Sequence, residues 1–173
     1  MMRALWGWGT VLLLTASLSC RAEGFAFEVA SPKFKVTMPG IPQMKMDVHP
    51  NNASQPQFRF LGSADPYAVA IFTPAAVGGM TPLECAGAIS RTLAARPGVP
   101  PPSQIVKARL NDRTFVAIYA APLVVGVQLH AHLLSAAGGG THCVEVHATR
   151  VSIDEEDLAS WITNLQKASI EPD

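Results

Sequence analysis

The chain has 173 residues, of which 49% are apolar and 15% charged, and its thirteen basic and thirteen acidic side chains cancel. This is the length of one domain with enough apolar material for a core of its own, and the balance is the opposite of a disordered chain. No basic stripe suits a nucleic-acid backbone, and neither a glycine-rich phosphate loop nor a GxSxG elbow appears.

Residues 1–22 read as a targeting segment. Met1, Met2 and Arg3 make a short positive start, residues 4–18 (ALWGWGTVLLLTASL) are apolar, and small residues follow at Ser17, Ser19 and Ala22. The pattern is that of a secretory signal peptide and is short for a membrane span. Cys20 stands where a bacterial lipoprotein carries its lipidated cysteine, although Leu18 and Ser17 depart from the usual order before it. Ordinary cleavage near Ala22 is the alternative. Either route predicts export to the periplasm, with the outer membrane reached only through a lipid on Cys20, and a single domain over residues 23–173.

Residues 24–40 (GFAFEVASPKFKVTMPG) alternate as one or two strands broken at Ser31-Pro32. Residues 42–56 are loop by composition. Asn52-Ala53-Ser54 matches a glycosylation acceptor, which in a chain of bacterial character is coincidence. Residues 57–61 and 67–72 read as a strand and its return. Thr81-Pro82-Leu83-Glu84 is a capping box with proline at the first helical position, and it predicts a helix that ends at Arg96-Pro97-Gly98. Residues 103–110 and 113–121 form a further hairpin.

The longest hairpin comes next. Residues 123–134 (LVVGVQLHAHLL) and 141–150 (THCVEVHATR) alternate strictly around the small-residue loop 135–140. One face carries Leu129, Ala131, Leu133, Val144, Val146 and Ala148. The other carries His130, His132, Cys143, Glu145 and His147, three of the chain's five histidines among them. A second capping box, Ser152 to Glu155, opens a helix whose apolar stripe is Leu158, Trp161, Ile162 and Leu165. That helix should pack on the apolar face of the hairpin, and residues 171–173 should fray. Strands joined by short turns predict an α+β domain: an antiparallel sheet of about six or seven strands with two main helices on it.

In this order of elements the chain resembles the PsbP-like fold, an antiparallel sheet flanked by helices that also occurs in small exported bacterial lipoproteins. The likeness rests on Phe34-Lys35-Val36-Thr37-Met38-Pro39, on Arg113-Thr114-Phe115-Val116-Ala117, and on the strand–acidic cap–helix ending that closes with Ala168-Ser169-Ile170. The aromatic-rich segment usual after the first strand is missing. The resemblance implies a binding protein more than an enzyme and transfers no functional residue.

Three constellations bear on chemistry. His130 and His132 on one strand face Glu145 and His147 on the next, a set that can supply zinc with three or four ligands. The expected registers place His132 opposite Glu145 or opposite Cys143. A solvated or helix-covered polar face is the plain alternative. Cys85 and Cys143 are the thiols left after the leader, and in an exported protein they predict a disulfide, with two buried free thiols as the alternative. Cys143 across the hairpin from His132 would be a nucleophile pair, but nothing marks an activated thiolate. The reading is therefore a non-catalytic envelope protein with no required cofactor, which binds another envelope or secreted protein as inhibitor, immunity partner or assembly factor. A metal protein using the histidine face is the alternative.

Overall fold

The computed structural model describes residues 24–49, 55–152 and 155–172, with the side chains of 155–158 left out. The leader with Cys20, the Asn52 acceptor and most of the second capping box lie outside these residues.

The protein is α+β, as its alternating runs and the Thr81 capping box indicate, but the nine strands among the described residues divide between two antiparallel sheets. β1 (Gly24–Ala30) and β2 (Lys33–Pro42) form a hairpin, and β9 (Ser169–Pro172) pairs with the other edge of β2. The second sheet contains β3 (Phe58–Ala64), β4 (Tyr67–Phe72), β5 (Val106–Arg109), β6 (Phe115–Pro122), β7 (Val127–Ala137) and β8 (His142–Ser152) in the order β3-β4-β8-β7-β6-β5. β2 and β3 lie in different sheets, so the chain changes sheet between them. The expected fraying after Ile170 does not occur through Pro172, because Glu171 and Pro172 lie opposite Lys35 and Phe34.

The main core lies between the two sheets. Leu129, Ala131 and Leu133 of β7 and Val144, Val146 and Ala148 of β8 meet Phe25 and Val29 of β1, Phe34, Val36 and Met38 of β2, and Ile170 of β9. The apolar face of the long hairpin is thus covered largely by a second sheet. α2 (Glu155–Leu165) joins the same core through Trp161 and Leu165 and packs mainly on β2, with less contact to β8.

α1 (Pro82–Ala94) takes the opposite face of the larger sheet. Its start is the capping box foreseen: Thr81 Oγ1 accepts the Glu84 N–H at 3.3 Å, and Glu84 Oε2 accepts the Thr81 backbone N–H at 2.8 Å. Cys85, Ala86, Ile89 and Leu93 form its buried stripe. The first three meet Leu134, Ala136 and Cys143, while Leu93 meets Ile105, Ala117 and Tyr119.

The hairpin register differs from both expected ones. His132 lies directly opposite His147, and pairing continues to Ala137 opposite His142. Ser135, Ala136 and Ala137, read from composition as loop, are buried strand residues, and the Ser135 hydroxyl donates to the Arg113 carbonyl at 2.8 Å. The turn is Gly138 to Thr141. All three of its glycines have φ between +60° and +87°, where a β-carbon is disfavoured.

Candidate metal centre

Period-two alternation puts His130, His132, Glu145 and His147 on the α1 side of the larger sheet. Tyr119 of β6 joins them, opposite His130 in the ladder. Directly opposed side chains in a sheet stand ~5 Å apart, close to a stacking distance, so these rings stack. The His132 and His147 centroids are 4.1 Å apart with planes 8° from parallel, and Tyr119 and His130 are 4.6 Å apart at 7°. His130 and His147 are also stacked, at 5.2 Å.

Beneath the rings is a chain of polar contacts. Arg96, just past the end of α1, grips Glu145 with both terminal nitrogens, Nη1 to Oε1 and Nη2 to Oε2, each at 2.8 Å. Such a forked pair fixes the plane of the carboxylate. His132 Nδ1 lies 2.9 Å from Glu145 Oε1, in a site where His132 is 1% and Glu145 3% exposed. An ionised carboxylate only accepts, so Nδ1 carries the hydrogen and donates. In the neutral ring this leaves the lone pair on Nε2. That atom is buried and has no hydrogen-bond partner among the described residues. His130 Nδ1 and His147 Nε2 share a hydrogen bond at 3.0 Å, and both rings are half-buried.

The electrostatics favour neutral rings at His130 and His147 near an ionised Glu145. Burial pushes Glu145 up, but the hydrogen bonds from His132 and Arg96, together with their charges, outweigh it and hold the carboxyl at about 2. Burial pushes His147 down to about 3, with His132 and His130 adding to the effect and Glu145 opposing it. His130 is lowered by burial and by His132. Neutral imidazole is the form that ligates metal.

One ring nitrogen from each of His130, His132 and His147 lies within 4.8 Å of the other two. Three nitrogens about 2.0–2.1 Å from a shared zinc ion would sit somewhat closer than that upper distance. Lone pairs lie in the ring planes, so near-parallel rings do not yet converge on one point. The half-buried His130 and His147 would have to turn about χ2 and give up their mutual hydrogen bond. Glu145, expected among the ligands, has both its oxygens engaged, by Arg96 and His132, and stands behind the His132 ring.

The structure brings Cys85 and Cys143 to bonding distance, Sγ to Sγ 2.08 Å and Cα to Cα 5.3 Å. A bridged Cys143 offers no thiolate to a metal or a substrate. The bridge seats the start of α1 over the loop end of the hairpin. Two members of the site were missed from sequence. Arg96 was read as a helix stop, and its partner lies 49 residues away. Tyr119 had a visible signal, since Phe115, Ala117 and Tyr119 alternate in phase on the strand beside β7.

Among the described residues no helix is long and apolar enough to cross a membrane. Comparisons with known protein families and with curated proteins find no match for this chain.

Proposed function

We propose that this is a non-catalytic binding protein of the bacterial envelope and that its ligand is a transition-metal ion of zinc type. The ion is held by Nε2 of His132 and one ring nitrogen each of His130 and His147. The carrying observation is His132 itself: Nδ1 is tied to a carboxylate and Nε2 is buried without a partner. Leaving a buried polar atom unpaired costs ~1–3 kcal/mol, a cost that a bound cation would remove. Imidazole ligands suit zinc, copper and nickel better than calcium or magnesium. A carboxylate behind the ligating histidine is the usual outer partner in such sites and strengthens the histidine as a donor.

Export is part of the same proposal. It is supported by the leader pattern of residues 1–22, with Cys20 lipidated or removed, and by a disulfide of the kind that persists in oxidising compartments. The resemblance to the PsbP-like fold, which implies a binding protein more than an enzyme, fits this role. The test is metal content by mass spectrometry, together with zinc titration calorimetry, on mature protein purified without a histidine tag. The expected result is one zinc per chain, lost in His132→Ala and weakened about 10- to 100-fold in Glu145→Ala. Zinc below a tenth of an equivalent after incubation, or uptake unchanged in His132→Ala, would overturn the proposal.

A further inference from the structure

Six strands about 4.8 Å apart make a face roughly 24 Å wide, whereas one helix with its side chains is about 10 Å across. α1 covers β7, β8 and part of β6 on its face of the larger sheet and leaves the β5 flank open. Between α1 and β5 runs a groove of about 580 Å³. Phe115 and Leu134 line it from the sheet and Leu83 and Ala86 from the helix, with Leu83 64% exposed.

Its charge is one-sided. Arg91 of α1 and Lys107 and Arg109 of β5 line the groove, and among the described residues no acidic side chain does. Lys107 and Arg109 lie opposite Ala117 and Phe115, which pack beneath α1, so both cations project on the groove side of the edge strand. Arg109 lies over the Phe115 ring at 5.9 Å, and Asp112, outside the groove, holds one of its nitrogens at 2.6 Å. In a protein of zero net charge, three cations along one apolar trough are a local asymmetry. Lysines on edge strands also deter unwanted strand pairing. That role alone does not explain a third cation on the facing helix or the apolar lining.

We propose that this groove binds an acidic, extended peptide segment of a partner protein, with apolar side chains on Phe115 and Leu83 and carboxylates toward Arg91, Lys107 and Arg109. From Leu83 to Ala94 the helix runs about 17 Å, the reach of about five extended residues. The groove is open along its length and would leave a small amphiphile half in water, where small-molecule sites bury most of their ligand. A peptide tolerates a wet rim. This proposal is independent of the metal site.

The experiment is fluorescence anisotropy on the mature protein with a fluorescein-labelled hexapeptide of alternating valine and glutamate, beside its valine–lysine counterpart. The acidic peptide is expected to bind and the basic one not. Binding should weaken at least about tenfold in Arg91→Glu/Lys107→Glu and on raising the salt, since exposed charge pairs are screened. Lys167→Glu, an exposed change elsewhere, should leave it intact. Thermal melts establish that the variants are folded. No binding of the acidic peptide, equal binding of the two peptides, or indifference to the double reversal overturns the proposal. Dodecanoate binding in the groove without peptide binding overturns it in favour of an anionic amphiphile.

Discussion

His147 and Glu145 make the site sensitive to acid. Unfolded, His147 regains the ordinary histidine range near 6.5, while folded it stays neutral down to about 3. Between those values the unfolded chain binds the extra proton, so stability is present above about pH 6.5 and is lost as pH falls toward 3. Glu145 adds a lower window, from the ordinary carboxyl value of 4.5 down to about 2. Metal-free protein should therefore show a lower urea midpoint at pH 4.5 than at pH 7, and His147→Gln should flatten that difference. A midpoint equally pH-dependent in wild type and variant would show that His147 is not the cause. His130, His132, Glu145, Arg96 and Tyr119 all face this ring or its neighbours, so the variant isolates one titration within a coupled group. The shared face of these histidines was legible in the sequence, because alternation requires it. The roles of its members were not. Whether Glu145 ligates or supports depends on Arg96, and a contact across 49 residues leaves no local trace.

At the scale of elements, α1 is fastened at both ends, by the Cys85–Cys143 bridge near its start and by the Arg96–Glu145 pair beyond its end. The bridge closes a separation of 58 residues, which in the chain-entropy view is worth about 4 kcal/mol. Cys85→Ser/Cys143→Ser is expected to lower unfolding stability by roughly that amount, measured by urea unfolding without reductant. A loss under about 1 kcal/mol would mean that the helix is held by packing alone. The helix itself was readable residue by residue, since capping boxes are local chemistry. The hairpin register was not. Ser135, Ala136 and Ala137 have loop composition, yet all three are buried: Ala136 lies under α1 and its bridge, and Ala137 on the other face joins the intersheet core. Composition alone does not separate a small residue in a turn from one in a crowded strand.

At the scale of the whole molecule, the sequence supports antiparallel strands and two helices but not their division into two sheets. Alternation says which residues face inward and is silent on what they face. β9 shows this best: Glu171 and Pro172 have the pattern of a frayed end, yet they pair with β2, and Ile170 beside them is 1% exposed at the centre of the intersheet core. Ile170→Ala is expected to cost about 3 kcal/mol, the usual loss for a fully buried aliphatic side chain, whereas a frayed end would lose almost nothing. Chemical denaturation decides between the two.

The pairing of β2 with β9 also constrains when the protein can fold. Their partners, Val36 with Ile170 and Phe34 with Pro172, are separated by almost the whole described chain. Closing so long a loop is entropically late, and topologies rich in distant contacts fold slowly. Until β9 arrives, β2 has an open edge and the intersheet core lacks Ile170. The smaller sheet is thus complete only once the last strand of the described chain has docked on β2, so the first hairpin of the chain waits for its end.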